Sequence, residues 1–155
     1  MKKIILLLSF ALVIFACKSN PVTSLDRKSQ VQIKGDWTIT NVSYVGQEYF
    51  KVNSFSIADS KCFIGSTWKF ISNNNKGSMA LTAAGCPSFS SNIVWSVNEN
   101  GVLGLKFIED GTKSKKVLEG YELKVANQTE TTFELVQKMD IGGKMSDVTY
   151  KFTRN

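Results

Sequence analysis

The stretch Lys34-Gly35-Asp36-Trp37 opens the first of a series of short β-rich runs, and this series indicates the fold. Beyond it, the chain has no long segment with the 3.6-residue periodicity of a helix. Polar turns instead separate runs that are rich in β-branched and aromatic residues. These runs lie at residues 35–44, 66–72, 77–83, 92–97, 102–108, 117–125, 131–138 and 146–154.

The last run shows the alternation of a half-buried strand. Val148, Tyr150, Phe152 and Arg154 fall on one face, and polar or charged residues fall on the other. Eight sequential strands with short connections predict an all-β fold, an eight-stranded up-and-down antiparallel barrel, because closure of the sheet removes its exposed edges. A two-sheet β-sandwich is the alternative that the same pattern allows.

Gly35 and Trp37 match the Gly-x-Trp signature of lipocalins, and Arg154 stands near the end of the last strand, where that family has an arginine or lysine. The chain over residues 33–155 resembles the small lipocalin-like lipoproteins of Bacteroidetes-type bacteria. The resemblance implies that Trp37 lies at the closed end of the barrel and that Arg154 packs across it. Barrel geometry agrees, since the first and last strands are neighbours, and a cation over an indole contributes roughly 0.5–2 kcal/mol.

The N-terminal residues have the layout of a secretory signal, with Lys2 and Lys3 before an apolar run from Ile4 to Ala16. As a helix this run would span about 20 Å, which is short of the roughly 30 Å of a bilayer core. Ile14-Phe15-Ala16-Cys17 resembles the bacterial lipobox. The resemblance implies cleavage before Cys17, a diacylglycerol on its thiol and an acyl chain on its amino group, which make a durable anchor. An ordinary cleaved signal with a chance cysteine is the alternative.

These features divide the chain into a signal peptide (1–16), a lipidated flexible tether (17–32) and a lipocalin-like barrel domain (33–155). The residues after Cys17 lack both the aspartate that retains some lipoproteins at the inner membrane and the acidic run of a surface-export signal. We therefore expect the protein in the cell envelope, anchored by lipid to the outer membrane and facing the periplasm. Because the tether joins near the closed end, the mouth should point away from the membrane.

The composition excludes several kinds of chemistry. The chain contains no histidine, so Ser-His-Asp and Cys-His arrangements are excluded, and it has no Gly-rich phosphate loop. Asp59, Glu109 and Asp110 could form a carboxylate pair for glycoside hydrolysis, but no motif frames them. The basic cluster from Lys113 to Lys116 lies in a polar stretch without an aromatic platform. We expect no enzymatic activity, no cofactor and no nucleic-acid partner.

Two cysteines, Cys62 and Cys86, remain once Cys17 carries the lipid. An even pair in an oxidising compartment predicts a disulfide bond, which would contribute about 3 kcal/mol in the chain-entropy model. Two cysteines in a chain without histidine do not make a closed zinc site, so we expect no metal.

The inward-facing side chains carry the functional prediction, because a barrel of this size is either filled by side chains or holds one small ligand. We expect a monomer, membrane-bound through its N-terminal lipid, that holds or transports a small apolar molecule. A packed barrel without a ligand, acting as a scaffold or interaction module of the envelope, is the alternative. The ligand-binding candidates are Trp68, Phe70, Trp95, Leu105, Phe107, Tyr121, Phe133 and Tyr150.

The connection at residues 45–65 is unusually apolar for a surface loop and contains Tyr49, Phe50 and Phe55. Loop lengths place it at the open end of the barrel, together with longer connections at 84–91, 109–116 and 139–145. Long ordered loops are often functional, so these three aromatic residues are candidates for a lid over the mouth. The interpretation we favour is a small satellite core that plugs the barrel.

Overall fold

The computed structural model describes residues 31–46, 49–108, 111, 113–114, 117 and 119–155. Residues 31–33 are helical, and Ser60–Phe63 form a 3₁₀ helix. The strands are β1 (Gly35–Ser43), β2 (Asn53–Ser54), β3 (Ala58–Asp59), β4 (Thr67–Ile71), β5 (Lys76–Leu81), β6 (Phe89–Val97), β7 (Val102–Ile108), β8 (Tyr121–Ala126), β9 (Thr132–Ile141) and β10 (Lys144–Arg154).

The eight longer strands, β1 and β4–β10, form a closed antiparallel barrel. From β4 to β10 each strand pairs with the next along the chain, and β1 closes the barrel between β10 and β4. Trp37 pairs with Arg154 on one side and with Trp68 on the other. The predicted up-and-down barrel is therefore confirmed, and the two-sheet sandwich is wrong.

Alternation along the strands fills the interior. On β4, Trp68 and Phe70 are buried while Thr67 and Lys69 are exposed. On β10, Val148, Tyr150 and Phe152 are buried, as the sequence pattern predicted. Because successive side chains of a strand point to opposite faces, each strand contributes every second residue to the core.

A β-bulge changes the inward phase of β1. Trp37 and Ile39 are buried before it, and Val42 and Tyr44 are buried after it. The register between β1 and β10 shifts between Ile39 and Asn41, which leaves Thr40 as the extra residue. The bulge therefore keeps the apolar side chains of both halves of β1 inside the barrel.

The connection from β1 to β4 is built of small ordered elements. Strands β2 and β3 form a separate two-stranded hairpin, and the 3₁₀ helix follows it. A disulfide bond joins Cys62 of the 3₁₀ helix to Cys86 in the β5–β6 connection. The predicted disulfide is confirmed, and it ties the hairpin region to the neighbouring connection at the open end.

Several boundaries differ from the sequence prediction, and among them β6 begins at Phe89 rather than 92 and β8 at Tyr121 rather than 117. Strands β9 and β10 run on to a two-residue turn at Gly142 and Gly143, where a longer connection at 139–145 was expected. Both glycines have positive φ angles, 63° and 87°, which a two-residue hairpin turn requires and which glycine adopts without steric cost. Residues 31–32, expected as the end of the flexible tether, are helical.

The predicted signal peptide, Cys17 and the predicted tether up to residue 30 lie outside the described residues, as do Glu109, Asp110, Lys115 and Lys116. Within the described ranges, no helix has the length and apolar character that crossing a membrane requires.

Candidate functional site

The closed end of the barrel is built around the indole of Trp37. This side chain is fully buried, and its Nε1 donates a hydrogen bond to the Ile33 carbonyl at 2.7 Å. The Phe133 ring meets it edge-on with centroids 4.7 Å apart. The Arg154 guanidinium lies over the indole with Cζ 4.1 Å from the ring centroid. The Trp37–Arg154 contact is the one that the lipocalin resemblance implied.

Arg154 also ties together three segments of chain at this end. Its Nε donates to the Glu130 carbonyl at 2.7 Å, Nη1 to the Lys34 carbonyl at 3.0 Å and Nη2 to the Gln32 carbonyl at 2.9 Å. A planar guanidinium satisfies all three, which an ammonium on a lysine cannot do in the same geometry. Gly35 makes room for it, because a Cβ at this position would lie 2.5 Å from Nη1.

The closed-end half of the interior is packed with aromatic rings. Phe133 and Phe152 stack with centroids 4.5 Å apart, and Phe70 meets Trp95 edge-on at 5.2 Å. Such pairs contribute about 0.5–1.5 kcal/mol each beyond the area they bury. We call this set the base cluster; it consists of Trp37, Phe70, Trp95, Phe133 and Phe152.

The open-end half holds a second group of rings, arranged around Phe55. The Phe55 centroid lies 5.1 Å from that of Tyr121, 5.2 Å from that of Tyr150 and 5.5 Å from that of Phe107. Only 4% of Phe55 is exposed. We call this set the mouth cluster; it consists of Phe55, Phe63, Trp68, Phe107, Tyr121 and Tyr150.

All eight ligand-binding candidates therefore lie in the barrel core or pack against it, and the structure divides them between its two halves. Phe70, Trp95 and Phe133 belong to the base cluster, and Leu105 is buried on β7. The remaining four, Trp68, Phe107, Tyr121 and Tyr150, surround Phe55 at the mouth. The sequence indicated the wall of the mouth and favoured a plug from the 45–65 connection, but it did not indicate that Phe55 is the ring at the centre of that wall.

Phe55 enters the barrel from the tip of the β2–β3 hairpin. The Ile57 amide donates to the Ser54 carbonyl at 3.0 Å, closing a turn whose central residues, Phe55 and Ser56, have φ angles of 55° and 56°. Left-handed backbone in a non-glycine residue costs of order 1–3 kcal/mol. Burial of a phenylalanine side chain returns roughly 1.5–3 kcal/mol. Two such residues cost about 2–6 kcal/mol, which is as much as or more than the burial of one ring contributes. Further contacts with the barrel wall are therefore needed to hold the hairpin in place.

Hydroxyl groups supply part of that hold. The Ser54 Oγ lies 2.5 Å from the Tyr150 hydroxyl and 2.6 Å from the Ser60 Oγ, and Ser60 donates to the Val52 carbonyl at 2.9 Å. Ser54 and Ser60 are completely buried. Hydrogen bonding compensates the cost of burying these polar groups.

Both mouth tyrosines are protonated at neutral pH. Burial raises the pKa of Tyr150 to about 12. Burial also raises the pKa of Tyr121 to about 12, with a further contribution from the Glu119 carboxylate. The Tyr121 hydroxyl lies 2.7 Å from the Phe55 carbonyl and 2.6 Å from Glu119 Oε1. A phenol has one proton, so these two acceptors compete for it. The hydrogen bond from Tyr121 to the Phe55 carbonyl is therefore weaker than its distance suggests.

One polar atom on the inward phase of β9 has no partner. Gln137 comes two residues after Leu135 and four after Phe133, so it continues their inward alternation. It pairs with Val148, two residues along each strand from the Leu135–Tyr150 pair. Its Oε1 is buried without a hydrogen bond. The pattern of alternating apolar residues gave no reason to single out this glutamine, because a polar residue within a strand usually faces solvent.

Tyr49 and Phe50 are exposed while Phe55 is buried, so the three lid candidates separate, and a lid role for Tyr49 and Phe50 stays a prediction. Tyr49 is 84% exposed and Phe50 is 45% exposed. Their amides both donate to the Gly46 carbonyl, at 2.9 and 3.0 Å, and this turn keeps them on the outer rim. Phe55 alone enters the barrel, which agrees with the plug that we favoured.

Three cavities are lined by described residues, and the one along β6–β8 is lined in part by Trp95 of the base cluster and Tyr121 of the mouth cluster. One of about 700 Å³ is a groove on the outer face of β5 and β6, lined in part by Lys76, Ser78 and Asn92. A second of about 370 Å³ lies at the rim beside Tyr49 and Phe50, and a third of about 320 Å³ lies along β6–β8. None of the three is lined by Phe55, Phe70 or Phe152.

The acidic candidate that the structure describes has a structural role. The Asp59 Oδ1 accepts a hydrogen bond from the Lys61 amide at 2.9 Å and caps the 3₁₀ helix. In the portion of the chain that is described, no three histidine, cysteine, aspartate or glutamate residues are grouped so that they could hold a metal ion.

A closed antiparallel barrel, sealed at one end by an arginine over a tryptophan and lined inside by aromatic rings, defines a lipocalin-like class of protein. The family model described as a lipocalin-like domain matches residues 33–135, so the chain belongs to this family. Among solved structures it is similar to a deswapped triple mutant of bovine odorant binding protein. The sequence identity is 11%, the TM-score is 0.43, and the alignment covers 80% of this chain and 74% of that one. No curated protein matches the chain.

Proposed function

We propose that this chain is a lipid-anchored binding protein of the bacterial cell envelope that holds a small apolar molecule in the mouth half of its barrel. The observation that carries the proposal is the origin of Phe55. This ring comes from a loop hairpin, whereas Trp68, Phe107 and Tyr150 around it come from barrel strands. The hairpin can leave without breaking a barrel strand pair, so the mouth is the part of the interior whose occupant can change.

The chemistry of the mouth fits an apolar ligand. Its wall is formed by rings. The polar groups of that wall include the hydroxyls of Tyr121 and Tyr150, which contact the Phe55 carbonyl and the Ser54 Oγ of the hairpin. Small-molecule sites are mostly apolar, with a small number of placed polar groups. The rings of the base cluster all come from barrel strands and close the site from below. The ligand would therefore occupy the mouth half of the barrel.

Native mass spectrometry of residues 20–155, before and after mild denaturation, tests whether a molecule co-purifies. Titration with the fluorescent probe N-phenyl-1-naphthylamine tests the site directly. Phe107→Trp adds bulk inside the mouth, while Ile108→Trp introduces the same side chain on the outer face of the same strand. We expect saturable probe binding that Phe107→Trp weakens about tenfold or more and Ile108→Trp leaves unchanged, because overpacking costs typically 1–3 kcal/mol.

A packed scaffold without a ligand is the second candidate, and the ring packing favours it. The Phe152 ring meets the Trp68 ring edge-on with centroids 5.7 Å apart, so the base and mouth clusters form one continuous network of ring contacts. A clean protein mass together with the absence of saturable probe binding would support the scaffold. Equal loss of binding in both tryptophan variants would place the probe outside the barrel and count against the proposed site.

The anchor and its location belong to the same proposal. Hydrogen bonds from Arg154 hold the Gln32 and Lys34 carbonyls at the closed end, so the chain enters the barrel there. This supports a mouth that points away from the membrane, into the periplasm, on a protein tethered to the outer membrane through Cys17.

Expression of the full chain in a bacterial host tests the anchor. We expect the mature protein in the outer-membrane fraction, with a mass that shows cleavage before Cys17 and added acyl chains. The Cys17→Ser variant should lack the acyl mass, while Ser19→Ala, two residues away, should be processed normally. Cleavage without acylation in the wild type would leave an ordinary secretory signal and remove the anchor from the proposal.

A further inference from the structure

We propose that Phe55 and Ser54 act as an internal ligand, and that the external ligand which replaces them is a single aromatic ring bearing a hydroxyl or a similar polar group. The inference rests on the proposed binding function and specifies its ligand class and its regulation. In the state described here the protein occupies its own site.

The size and shape of the site follow from what fills it. One phenyl ring lies among five others, and its centroid is 5.1 to 6.4 Å from each of theirs. Four of the five neighbours belong to strands and stay when the hairpin leaves. The space that Phe55 vacates is therefore shaped for one ring, with the edge-to-face contacts that aromatic pairs prefer.

The polar requirement follows from the hydrogen bonds that would be lost. Removal of the hairpin takes Ser54 away from the Tyr150 hydroxyl and the Phe55 carbonyl away from the Tyr121 hydroxyl. The Tyr121 hydroxyl would keep Glu119 as its acceptor, whereas the Tyr150 hydroxyl would lose its Ser54 contact. The Gln137 Oε1, on the neighbouring strand β9, is already buried without a donor. A ligand hydroxyl both accepts and donates, so it can replace the Ser54 hydroxyl, which now contacts Tyr150.

Competition with the hairpin sets the apparent affinity. If only a fraction of molecules has an open mouth, the measured dissociation constant is the intrinsic one divided by that fraction. Truncation of Phe55 removes the competing ring and leaves the strand-borne wall intact. We therefore expect Phe55→Ala to bind ligand about tenfold to a hundredfold more tightly than the wild type.

The probes are 4-fluorophenol and fluorobenzene, followed by ¹⁹F NMR on the full mature chain in lipid nanodiscs, with empty nanodiscs as the reference. We expect 4-fluorophenol to bind about fivefold or more tightly than fluorobenzene, because only the phenol can replace the Ser54 hydroxyl at Tyr150. Phe133→Ala is the matched control, since it opens a phenyl-sized space in the base cluster and leaves Phe55 in place. Phe55→Leu, a milder truncation, should give an intermediate affinity.

Hydrogen exchange distinguishes displacement of the hairpin from binding elsewhere. The Ile57 amide donates to the Ser54 carbonyl and the Ser60 amide to the Val52 carbonyl, so both are protected while the hairpin is seated. Saturating 4-fluorophenol should increase exchange in residues 53–60 of the wild type and leave the β9–β10 pairing unchanged. Unchanged exchange in residues 53–60 on binding would overturn the inference.

The remaining outcomes distinguish a failure of the internal-ligand proposal from a failure of the proposed binding function. An equal gain for Phe133→Ala and Phe55→Ala would mean that any cavity in the barrel binds the probe, and the internal ligand would be refuted. Saturable binding of N-phenyl-1-naphthylamine without binding of 4-fluorophenol would refute the ligand class and keep the binding function. Binding of neither probe to the wild type or to Phe55→Ala would reject both.

Discussion

Gly35 is the residue at which the closed end tolerates least change. Its φ of 132° lies where L side chains are rarely found, and an added Cβ would collide with the Arg154 guanidinium. Trp37, two residues on, depends on that guanidinium for the cation over its ring. The glycine of the Gly-x-Trp signature therefore acts through the space it leaves for the arginine.

Gly35→Ala should accordingly destabilise the protein by about 2–4 kcal/mol, the sum of backbone strain and displacement of Arg154. Gly104→Ala provides the matched control, because the nearest atom to a Cβ there is the Ser96 hydroxyl at 3.8 Å. Denaturant unfolding of both variants gives the comparison, and the control should stay within about 0.5 kcal/mol of the wild type. Equal stability of the two variants would show that Arg154 relocates without cost.

Tyr150 makes stability depend on alkaline pH. Burial raises its folded-state pKa to about 12, whereas tyrosine in an unfolded chain ionises near pH 10. The folded state thus holds the proton more tightly, and the resulting stabilisation is complete below pH 10 and is lost as the pH rises through about 12.

Between about pH 9 and about pH 11.5 the unfolding free energy of the wild type should fall as the phenol of the unfolded chain ionises. The corresponding fall in Tyr150→Phe should be smaller by about 2 kcal/mol. Tyr49→Phe removes an exposed phenol at the rim and should retain the wild-type pH dependence. Identical pH profiles for wild type and Tyr150→Phe would mean that the mouth opens before the phenol ionises.

Among the elements, the barrel strands were predictable from sequence and the β2–β3 hairpin was not. Alternation over β4 and β10 indicates which residues face inward, because the period of two extends over several residues. Strands β2 and β3 have two residues each, too few to show any period. The inward turn of Phe55 depends on rings brought together by strands far away in sequence, so local pattern cannot indicate it. The β1 bulge is visible in the sequence as a change of spacing. The apolar residues that are buried alternate at Trp37 and Ile39, and after a step of three residues they alternate again at Val42 and Tyr44.

The Cys62–Cys86 disulfide is the covalent restraint on the element that carries Phe55. It closes a loop with a sequence separation of 24 residues. Cys62→Ser/Cys86→Ser should lower the unfolding free energy by about 3 kcal/mol. It should also raise hydrogen exchange in residues 53–63 more than in β9–β10, because the 3₁₀ helix loses its tie to the β5–β6 connection. The reduced wild type should behave as the double variant does, and unchanged exchange in residues 53–63 would show that wall contacts alone fix the hairpin.

For the whole molecule, closure makes the two ends of the described chain interdependent. β1 bonds to β10, and the Asn155 amide donates to the Asp36 carbonyl at 3.1 Å. The lipocalin resemblance predicted this junction because it rests on residues from both ends, Trp37 and Arg154. It could not predict how the interior is divided, since ring-rich strands suit a packed core and a ligand site equally well.

The same closure defines where the barrel begins. Ile33 is fully buried and accepts the Trp37 Nε1 hydrogen bond, and Gln32 and Lys34 accept from Arg154. A chain starting at residue 31 should therefore match the stability of one starting at residue 20. A chain starting at residue 36 loses the Ile33 burial and leaves Trp37 and Arg154 without acceptors, so it should be about 3–5 kcal/mol less stable.

Denaturant unfolding of the three chains measures this boundary. Equal stability of all three would mean that the closed end is sealed by Arg154 and Trp37 alone, and that the helical residues 31–33 belong to the tether. A loss confined to the shortest chain would place the last turn of the tether inside the barrel. The proposed tether and the closed end would then be continuous, because the carbonyls of Gln32 and Lys34, which accept hydrogen bonds from Arg154, directly follow the tether. The mouth lies at the opposite end, so the proposed anchor and the proposed ligand site would be separated along the barrel axis.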